Sequence, residues 1–206
     1  MTRLIAIVVA LSLPASVFAK PFMDRSKHKP SGATGIEAAI DAKVIPEADG
    51  AYAITGFQLW MLEGRTCDTS AGVRALPGRE NTKQTQPSML VNSGACPSKA
   101  KNPHVIMRDG SNYFVRGVRV CTQDKPNTAE RSIRGLKILY ARVKPNGTVE
   151  KLDDPEVWVN GKGCDKWEER AVCPDNMIAV GFRAHKSDFG YRALGLKCAA
   201  VGNRPD

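Results

Sequence analysis

Beyond its first 19 residues the chain lacks any long apolar run. Residues 4–13 form an apolar stretch after Arg3, and no other segment approaches the roughly 18 apolar residues that a membrane-spanning helix needs. Val17 and Ala19 are small residues that suit signal-peptidase cleavage, and the charged stretch after them argues against a buried N-terminal helix. The sequence therefore predicts a signal peptide over residues 1–19 and a secreted or periplasmic product without a transmembrane segment.

Histidine is scarce as well, which limits the chemistry available to the chain. The three histidines stand in unrelated contexts and no serine-hydrolase or zinc-protease motif accompanies them: His28, His104 and His185. The adjacent acids Asp153-Asp154 and Glu168-Glu169 are interpreted as solvated turn residues, because a glycosidase needs two carboxylates that face each other across a cleft. We expect no catalytic residue, no cofactor and no metal site, and hence no enzyme.

Six cysteines follow the predicted signal peptide: Cys67, Cys96, Cys121, Cys164, Cys173 and Cys198. An even number of cysteines in an exported chain predicts three disulfides, and no pair has the close spacing of structural zinc ligands. Six cysteines allow 15 connectivities. Proximity along the chain favours Cys67 with Cys96 and Cys121 with Cys164.

A repeated pattern of glycine, apolar, polar and apolar residues indicates that one unit is used three times. The pattern starts at Gly56, Gly117 and Gly181, which are separated by 61 and 64 residues. A second pattern of glycine, apolar and basic residues starts at Gly72, Gly135 and Gly195. Units of this length cannot bury an apolar face alone, so we expect stacked or radially arranged sheets. Under a threefold arrangement the three side chains that follow the first glycines meet in one core: Phe57, Val118 and Phe182.

Within each repeat the residues alternate with the period of a strand, which predicts antiparallel hairpins. Three sets are expected to face inward: Ala53, Phe57 and Leu59; Phe114, Val118 and Val120; Ile178, Val180, Phe182 and Ala184. Arg116 breaks the alternation at the position of Val180. In the third repeat a hairpin brings Cys173 close to Cys198. Asn146-Gly147 and Asn160-Gly161 predict further hairpin turns.

The sequence divides into three parts. Residues 1–19 are the signal peptide, and residues 20–48 are expected to form a flexible basic tail with a short helix that ends before Pro46. Residues 49–206 are expected to form a single β domain of three repeats, with an extended loop over residues 77–87.

The segment from Cys164 to Ala199, with Trp167, Cys173-Pro174, Gly181-Phe182 and Ala193-Leu194 before Cys198, resembles a repeat of the vitelline membrane outer layer protein I family. That resemblance implies an all-β, disulfide-stabilised β-prism of three sheets about a pseudo-threefold axis, a shape shared with jacalin-like lectins. It also implies a Cys173 to Cys198 bridge. The first two repeats lack the tryptophan-rich lead-in, and Cys121 lies on a first strand rather than a second.

The formal charge of +9 favours an anionic partner, and it serves equally as a solubility device. Basic residues recur at outward positions of the repeats, where Gln58 is the exception, and two tryptophans could stack on sugar rings. The candidate binding residues are Arg74, Arg119, Lys137, Arg183, Lys197, Trp60 and Trp158. Trp167 matches a structural position of the family repeat, so the resemblance implies that it packs in the core.

These features predict a non-enzymatic protein that binds carbohydrate or another anionic envelope polymer, with nucleic acid an unlikely partner. The alternative is a protein that binds or inhibits another secreted protein, which would show one contiguous apolar patch. A secreted hydrolase ranks third, because it demands a deep pocket with converging acids or a histidine.

Overall fold

The computed structural model describes residues 20–35, 40–44, 52–62, 65–78, 96, 104–110, 112–124, 131–159, 164, 166–187 and 190–204. Every regular element in these ranges is a β-strand, which confirms the all-β class. The strands are β1 (Lys20–Gly35), β2 (Ile40–Val44), β3 (Tyr52–Leu62), β4 (Arg65–Ala75), β5 (His104–Met107), β6 (Tyr113–Asp124), β7 (Arg131–Val143), β8 (Val149–Lys151), β9 (Glu156–Val159), β10 (Lys166–Trp167), β11 (Ala171–Val172), β12 (Met177–Ser187) and β13 (Gly190–Arg204). These residues include no helix with the length and hydropathy of a membrane span. The predicted signal peptide lies outside the described residues.

Three antiparallel hairpins, β3–β4, β6–β7 and β12–β13, form the centres of three sheets. Sheet 1 has the order β4-β3-β5, and sheet 3 has the order β1-β13-β12-β2. Sheet 2 has the order β10-β6-β7-β8, with β11 also paired to β6 and β9 to β7. Each central hairpin comes from one sequence repeat, so the predicted threefold use of one unit is confirmed.

The three hairpins share one hydrophobic core. Phe57, Val118 and Phe182 are buried in the same cluster, as predicted. The rings of Phe57 and Phe182 meet edge to face with centroids 5.5 Å apart, a favoured geometry for aromatic pairs. Because a lone hairpin is at best marginally stable in water, this shared cluster makes the folding of each hairpin depend on the other two.

A β-bulge precedes the first glycine of every repeat. The register shifts leave one extra residue in each first strand, namely Thr55, Arg116 and Val180. An extra residue reverses the face to which the alternate side chains point. Arg116 and Val180 therefore share a position because both are bulge residues, which explains the break in the alternation.

The bulges correct the expected inward sets. Phe57, Leu59, Val118, Val120, Phe182 and Ala184 lie in the shared core. Among the expected inward residues, Ala53, Phe114 and Ile178 precede a bulge and pack with the bulge residue Val180 in a second, smaller cluster that contains Met23, Leu76 and Val143. The residues directly before the bulges, Ile54, Val115 and Ala179, lie in the shared core in their place. The expected sets were wrong in this respect, because alternation along a strand counts a bulged residue as an ordinary one.

The second glycine pattern does not mark equivalent positions. Gly72 pairs with Gly56, whereas the partners of the other two first glycines are Leu139 and Lys197. The expected equivalence of Arg74, Lys137 and Lys197 is therefore wrong. Gly135 lies opposite Cys121 and Gly195 lies opposite Arg183, so neither occupies the place that Gly72 has in sheet 1.

Residues 20–35 and 40–44 differ from the predicted basic tail and helix. The chain forms β1, which pairs with β13 from Lys20 opposite Arg204 to Gly35 opposite Ala193, and β2, which pairs with β12. Met23 is buried in the second cluster. The prediction failed because the segment has no apolar alternation, and its strands instead satisfy the open edges of the β12–β13 hairpin.

Three disulfides join the expected pairs, Cys67 to Cys96, Cys121 to Cys164 and Cys173 to Cys198. The described residues include no free cysteine. The predicted turn at Asn146-Gly147 connects β7 to β8, and Gly147 has a φ of +75° there. Asn160-Gly161 and most of the loop expected over residues 77–87 lie outside the described residues.

Candidate functional site

The seven candidate binding residues are distributed over all three sheets. Sheet 1 carries Trp60 and Arg74, sheet 3 carries Arg183 and Lys197, and sheet 2 carries Arg119, Lys137 and Trp158. Among these seven, the register makes direct cross-strand partners of Arg119 on β6 and Lys137 on β7. The clearest candidate site is therefore on sheet 2.

Arg119 and Lys137 face outward because their neighbours face the core. Val118, Val120, Leu136 and Ile138 are fully buried, and alternate residues of a strand point to opposite faces. Two cations directly opposite each other on a sheet repel. Basic residues at outward positions were expected from the sequence, and Arg119 and Lys137 occupy such positions.

Backbone carbonyls hold the Arg119 guanidinium in place. Its Nε–H donates to the carbonyl oxygen of Glu168, and Nη2 donates to the carbonyl oxygen of Trp167 at 3.0 Å. β10 pairs with β6 through Trp167 opposite Cys121, so these carbonyls lie beside the strand that carries Arg119. Arg119 thus fixes the chain segment that carries Trp167.

The indole ring of Trp167 packs against the ammonium group of Lys137. The ammonium nitrogen of Lys137 lies 4.2 Å from the centroid of the indole ring, which is a cation–π contact. The indole also covers Gly135, where an added Cβ would lie 3.3 Å from the Trp167 Cη2 atom. Trp167 is half-buried rather than part of the core clusters, so its ring belongs to the outward face of sheet 2.

Glu168, the residue that follows β10, carries an acidic side chain with partners of its own. The carboxylate of Glu168 accepts a hydrogen bond from the Thr122 hydroxyl at 2.7 Å and forms an ion pair with Lys166 at 3.3 Å. Thr122 and Lys166 are therefore partners of the Glu168 carboxylate. Sequence reasoning assigned Trp167 to the core and Glu168 to a solvated turn, since nothing in their local pattern reveals the Arg119 contact.

The remaining cationic candidates occupy different surroundings. Arg74 is exposed and donates from Nη1 to the carbonyl oxygen of Gly110. Arg183 lies opposite Gly195, and Lys197 lies opposite Gly181, so neither faces a second cation directly across its hairpin. The structure thus does not repeat the Arg119–Lys137 pair on sheets 1 and 3.

An apolar seam runs along the edge strands β5 and β9. The His104 ring stacks on the Trp158 ring with centroids 5.0 Å apart. All three exposed large apolar side chains among the described residues lie on these two strands, and they are Val105, Met107 and Val157. We refer to Val105, Met107 and Val157 as the β5/β9 seam. His104 and Trp158 alternate with these residues and point to the opposite face, where Trp158 packs against the shared core. The side chains of His28 and His185 lie outside the described part of the chain.

Arg108, at the start of the β5–β6 connection, was missed by sequence reasoning. Its guanidinium lies 5.3 Å from the Tyr113 ring centroid and pairs with the Asp154 carboxylate at 3.2 Å. Its backbone N–H donates to the Tyr140 hydroxyl at 3.1 Å. Burial raises the pKa of Tyr140 well above its usual value, so this phenol stays neutral. The group fixes the connection and supplies no acid or base.

Among the residues that the structure describes, no three histidine, cysteine or acidic side chains form a group that could hold a metal ion.

Sequence comparisons give no relative. No protein-family model matches the chain, and a search of curated proteins finds no match. The fold, in contrast, matches solved structures of lectins across nearly their whole length.

Three such structures have the same TM-score of 0.51. Calystegia sepium agglutinin is 11% identical, with 85% of this chain and 97% of that chain covered. A mannose-binding lectin from Champedak is 12% identical, with 85% and 99% covered. Artocarpin in complex with mannopentose is 13% identical, with 82% and 96% covered.

These similarities show the β-prism fold of jacalin-related lectins, which confirms the predicted fold class. At such low identity they show the fold alone. Membership of the vitelline membrane outer layer protein I family stays a prediction.

Proposed function

We propose that the protein binds carbohydrate and catalyses no reaction, and that it works outside the cytoplasm as a secreted or periplasmic protein. Its β-prism fold is shared with structures described as mannose-binding lectins, and three disulfides suit an oxidising compartment. Fold similarity does not by itself transfer an activity, so the surface must supply the argument.

The outward face of sheet 2 carries the proposal. Sugar rings present an apolar face that packs on aromatic rings, and hydroxyl groups that need hydrogen-bond donors and acceptors. Trp167 supplies an indole at the surface, and the Arg119 and Lys137 side chains beside it supply charged donors. The other candidates, Trp60, Trp158, Arg74, Arg183 and Lys197, form the alternative proposal for carbohydrate or anionic-polymer binding, and a site made of Arg119, Lys137 and Trp167 needs none of them.

A glycan array tests this proposal. The disulfide-intact protein is applied to neutral and acidic glycans, and calorimetry measures the affinity of each positive glycan. We expect saturable binding to at least one glycan class and no change in the glycan after incubation. A folded protein that binds no glycan, or that cleaves one, would contradict the proposal.

The β5/β9 seam supports a second candidate function, binding of another secreted protein. Val105 is 53% exposed and Val157 is 51% exposed, and apolar side chains grouped on neighbouring strands are typical of protein interaction sites. Substituting Val105→Ser and Met107→Ser would abolish capture of such a partner. Binding of glycans on the array would be unaffected by the same substitutions.

A further inference from the structure

One row of outward residues distinguishes sheet 2 from sheets 1 and 3. In each hairpin the residue two positions after the first glycine has a direct partner on the second strand. The three pairs are Gln58 with Ser70, Arg119 with Lys137, and Arg183 with Gly195. A cation stands on both strands in sheet 2 alone among these three pairs.

We propose that Arg119, Lys137 and Trp167 form a single binding site for the anionic group of an acidic saccharide. The inference rests on the proposed carbohydrate-binding function and specifies the ligand class and the face that binds it. The shared chemistry is a carboxylate or sulfate on a sugar ring. The expected stoichiometry is one such site per chain, although the fold contains three related hairpins.

The first argument is that, among the described residues, no acidic side chain contacts either cation. In the described part of the chain, the contacts of Arg119 are the two backbone carbonyls and that of Lys137 is the neutral indole. Carbonyls and the indole offset part of the repulsion between the two cations without cancelling their charge. An external anion between the two cations would relieve the repulsion that remains.

The second argument is the number of hydrogen-bond donors left available. A guanidinium has five N–H groups and an ammonium has three. Arg119 uses two of its five in the carbonyl contacts, so three remain. Because these contacts also fix the plane of the guanidinium, little side-chain entropy is lost when an anion binds.

The third argument is the apolar surface on both sides of the cations. The Trp167 indole lies under the Lys137 ammonium, and the exposed Val157 is the partner of Lys137 on β9. The row therefore presents cations flanked by an aromatic and an aliphatic side chain. A sugar acid has the matching arrangement, with an anionic substituent on a ring that has an apolar face.

The test compares threefold-related positions. Arg119→Gln and Lys137→Gln remove the two cations of sheet 2, and Arg183→Gln, at the position equivalent to Arg119 in sheet 3, is the matched control. Calorimetry measures binding to oligogalacturonate for the carboxylate, to sulfated dextran oligosaccharides for the sulfate, and to neutral mannan and dextran oligosaccharides. Circular dichroism confirms that each variant is folded. Arg119→Gln also removes the hydrogen bonds to the carbonyls of Trp167 and Glu168, which could disturb β10. In that case Lys137→Gln, which leaves these bonds in place, tests the site in a folded protein.

We expect one site per chain for at least one acidic oligosaccharide. Lys137→Gln should weaken its binding about tenfold and Arg119→Gln by at least as much, because each removes a charge-assisted hydrogen bond. Arg183→Gln should change the affinity less than about twofold. Binding of the wild type should also weaken with added salt, since exposed charges are screened.

Two results would overturn the inference in distinguishable ways. Glycan binding that survives in folded Lys137→Gln and Arg119→Gln, or that is lost equally in Arg183→Gln, refutes this site and leaves the proposed function standing. Absence of binding to acidic and neutral oligosaccharides alike refutes both the site and the proposed function.

Discussion

Sheets 2 and 3 are built on the same hairpin and present different outward chemistry. In both sheets a bulge precedes the first glycine, and Val118 and Phe182 enter the same core after it. On the opposite face, Arg119 in sheet 2 faces Lys137, whereas Arg183 in sheet 3 faces Gly195. The sheets also differ in what covers their edges. Short strands from the middle of the chain flank β6 and β7, and two strands from the N-terminal part flank β12 and β13.

This difference shows that core and surface are under separate constraints in a repeated fold. The core positions must match in all three hairpins because their side chains meet, so a change in one hairpin is felt by the others. The outward positions touch no equivalent residue, and each sheet can therefore carry its own surface chemistry. A threefold fold does not imply three binding sites.

The largest expected effect comes from a substitution in the hydrophobic core that the sheets share. Phe182→Ala removes an aromatic ring of sheet 3 that contacts Phe57 of sheet 1 in the common core. We expect the free energy of unfolding to fall by about 3–5 kcal/mol, measured by urea denaturation. Val157→Ala, an exposed change on β9, should cost less than about 0.5 kcal/mol. Equal effects of the two substitutions would show that Phe182 is not a core residue.

The next largest effect on stability is expected from removing a disulfide. One disulfide can be removed from each of sheets 2 and 3, so the two sheets can be compared directly. Replacing both cysteines of Cys121–Cys164 or of Cys173–Cys198 by alanine should each lower stability by about 2–5 kcal/mol. The sequence separations are 43 and 25 residues, so loop-closure entropy predicts that the sheet 2 bridge contributes about 0.5 kcal/mol more. Denaturation of both double variants under non-reducing conditions measures the difference. The reverse order would mean that strain or residual structure outweighs loop length.

A smaller effect concerns the cation–π contact between Lys137 and Trp167 of sheet 2. A double-mutant cycle with Lys137→Met and Trp167→Leu should give a coupling free energy of about 0.5–1 kcal/mol. The matched cycle pairs Lys197→Met of sheet 3 with Trp167→Leu and should give no coupling beyond experimental error. Coupling in both cycles would indicate a general charge effect in place of a specific contact.

The smallest expected effect concerns an ion pair that joins sheet 2 to the start of sheet 3. Lys151 on β8 forms an ion pair with Asp175, just before β12, and lowers the pKa of the Asp175 carboxyl. A depressed folded-state pKa gives stabilisation that is complete above the unfolded-state pKa and is lost as the pH falls through the folded-state value, below about pH 4. Asp175→Asn should therefore slightly flatten the fall of Tm in this acid range. Since Asp175 is fully exposed, the change is small and disappears in high salt.

Much of the fold could be predicted from the sequence, because the deciding signals are local. Gly56, Gly117 and Gly181 mark the three first strands, and the apolar residues after them define the core. The bulges could not be predicted, since Thr55, Arg116 and Val180 have no common chemistry and a bulge is defined by pairing with the second strand. β1 could not be predicted for the same reason, because its partner is the last strand of the chain.

The candidate site was predictable only in part. Arg119 and Lys137 were identified as outward basic residues, but their pairing depends on the length of the β6–β7 turn. The contribution of Trp167 depends on where β10 docks against β6. The residue was assigned to the core from its position in the family repeat, and its sequence context gives no sign of that docking.

The pairing of β1 with β13 has a consequence for how the protein acquires its structure. The first described strand finds its partner only after almost the entire chain has been synthesised, so sheet 3 cannot close while the chain is still emerging. Pairings between such distant residues give a high contact order, which slows folding. The hairpins can form early from neighbouring residues, and the docking of β1 completes the domain last. Until then the outer edge of β13 is an open template for association with other chains.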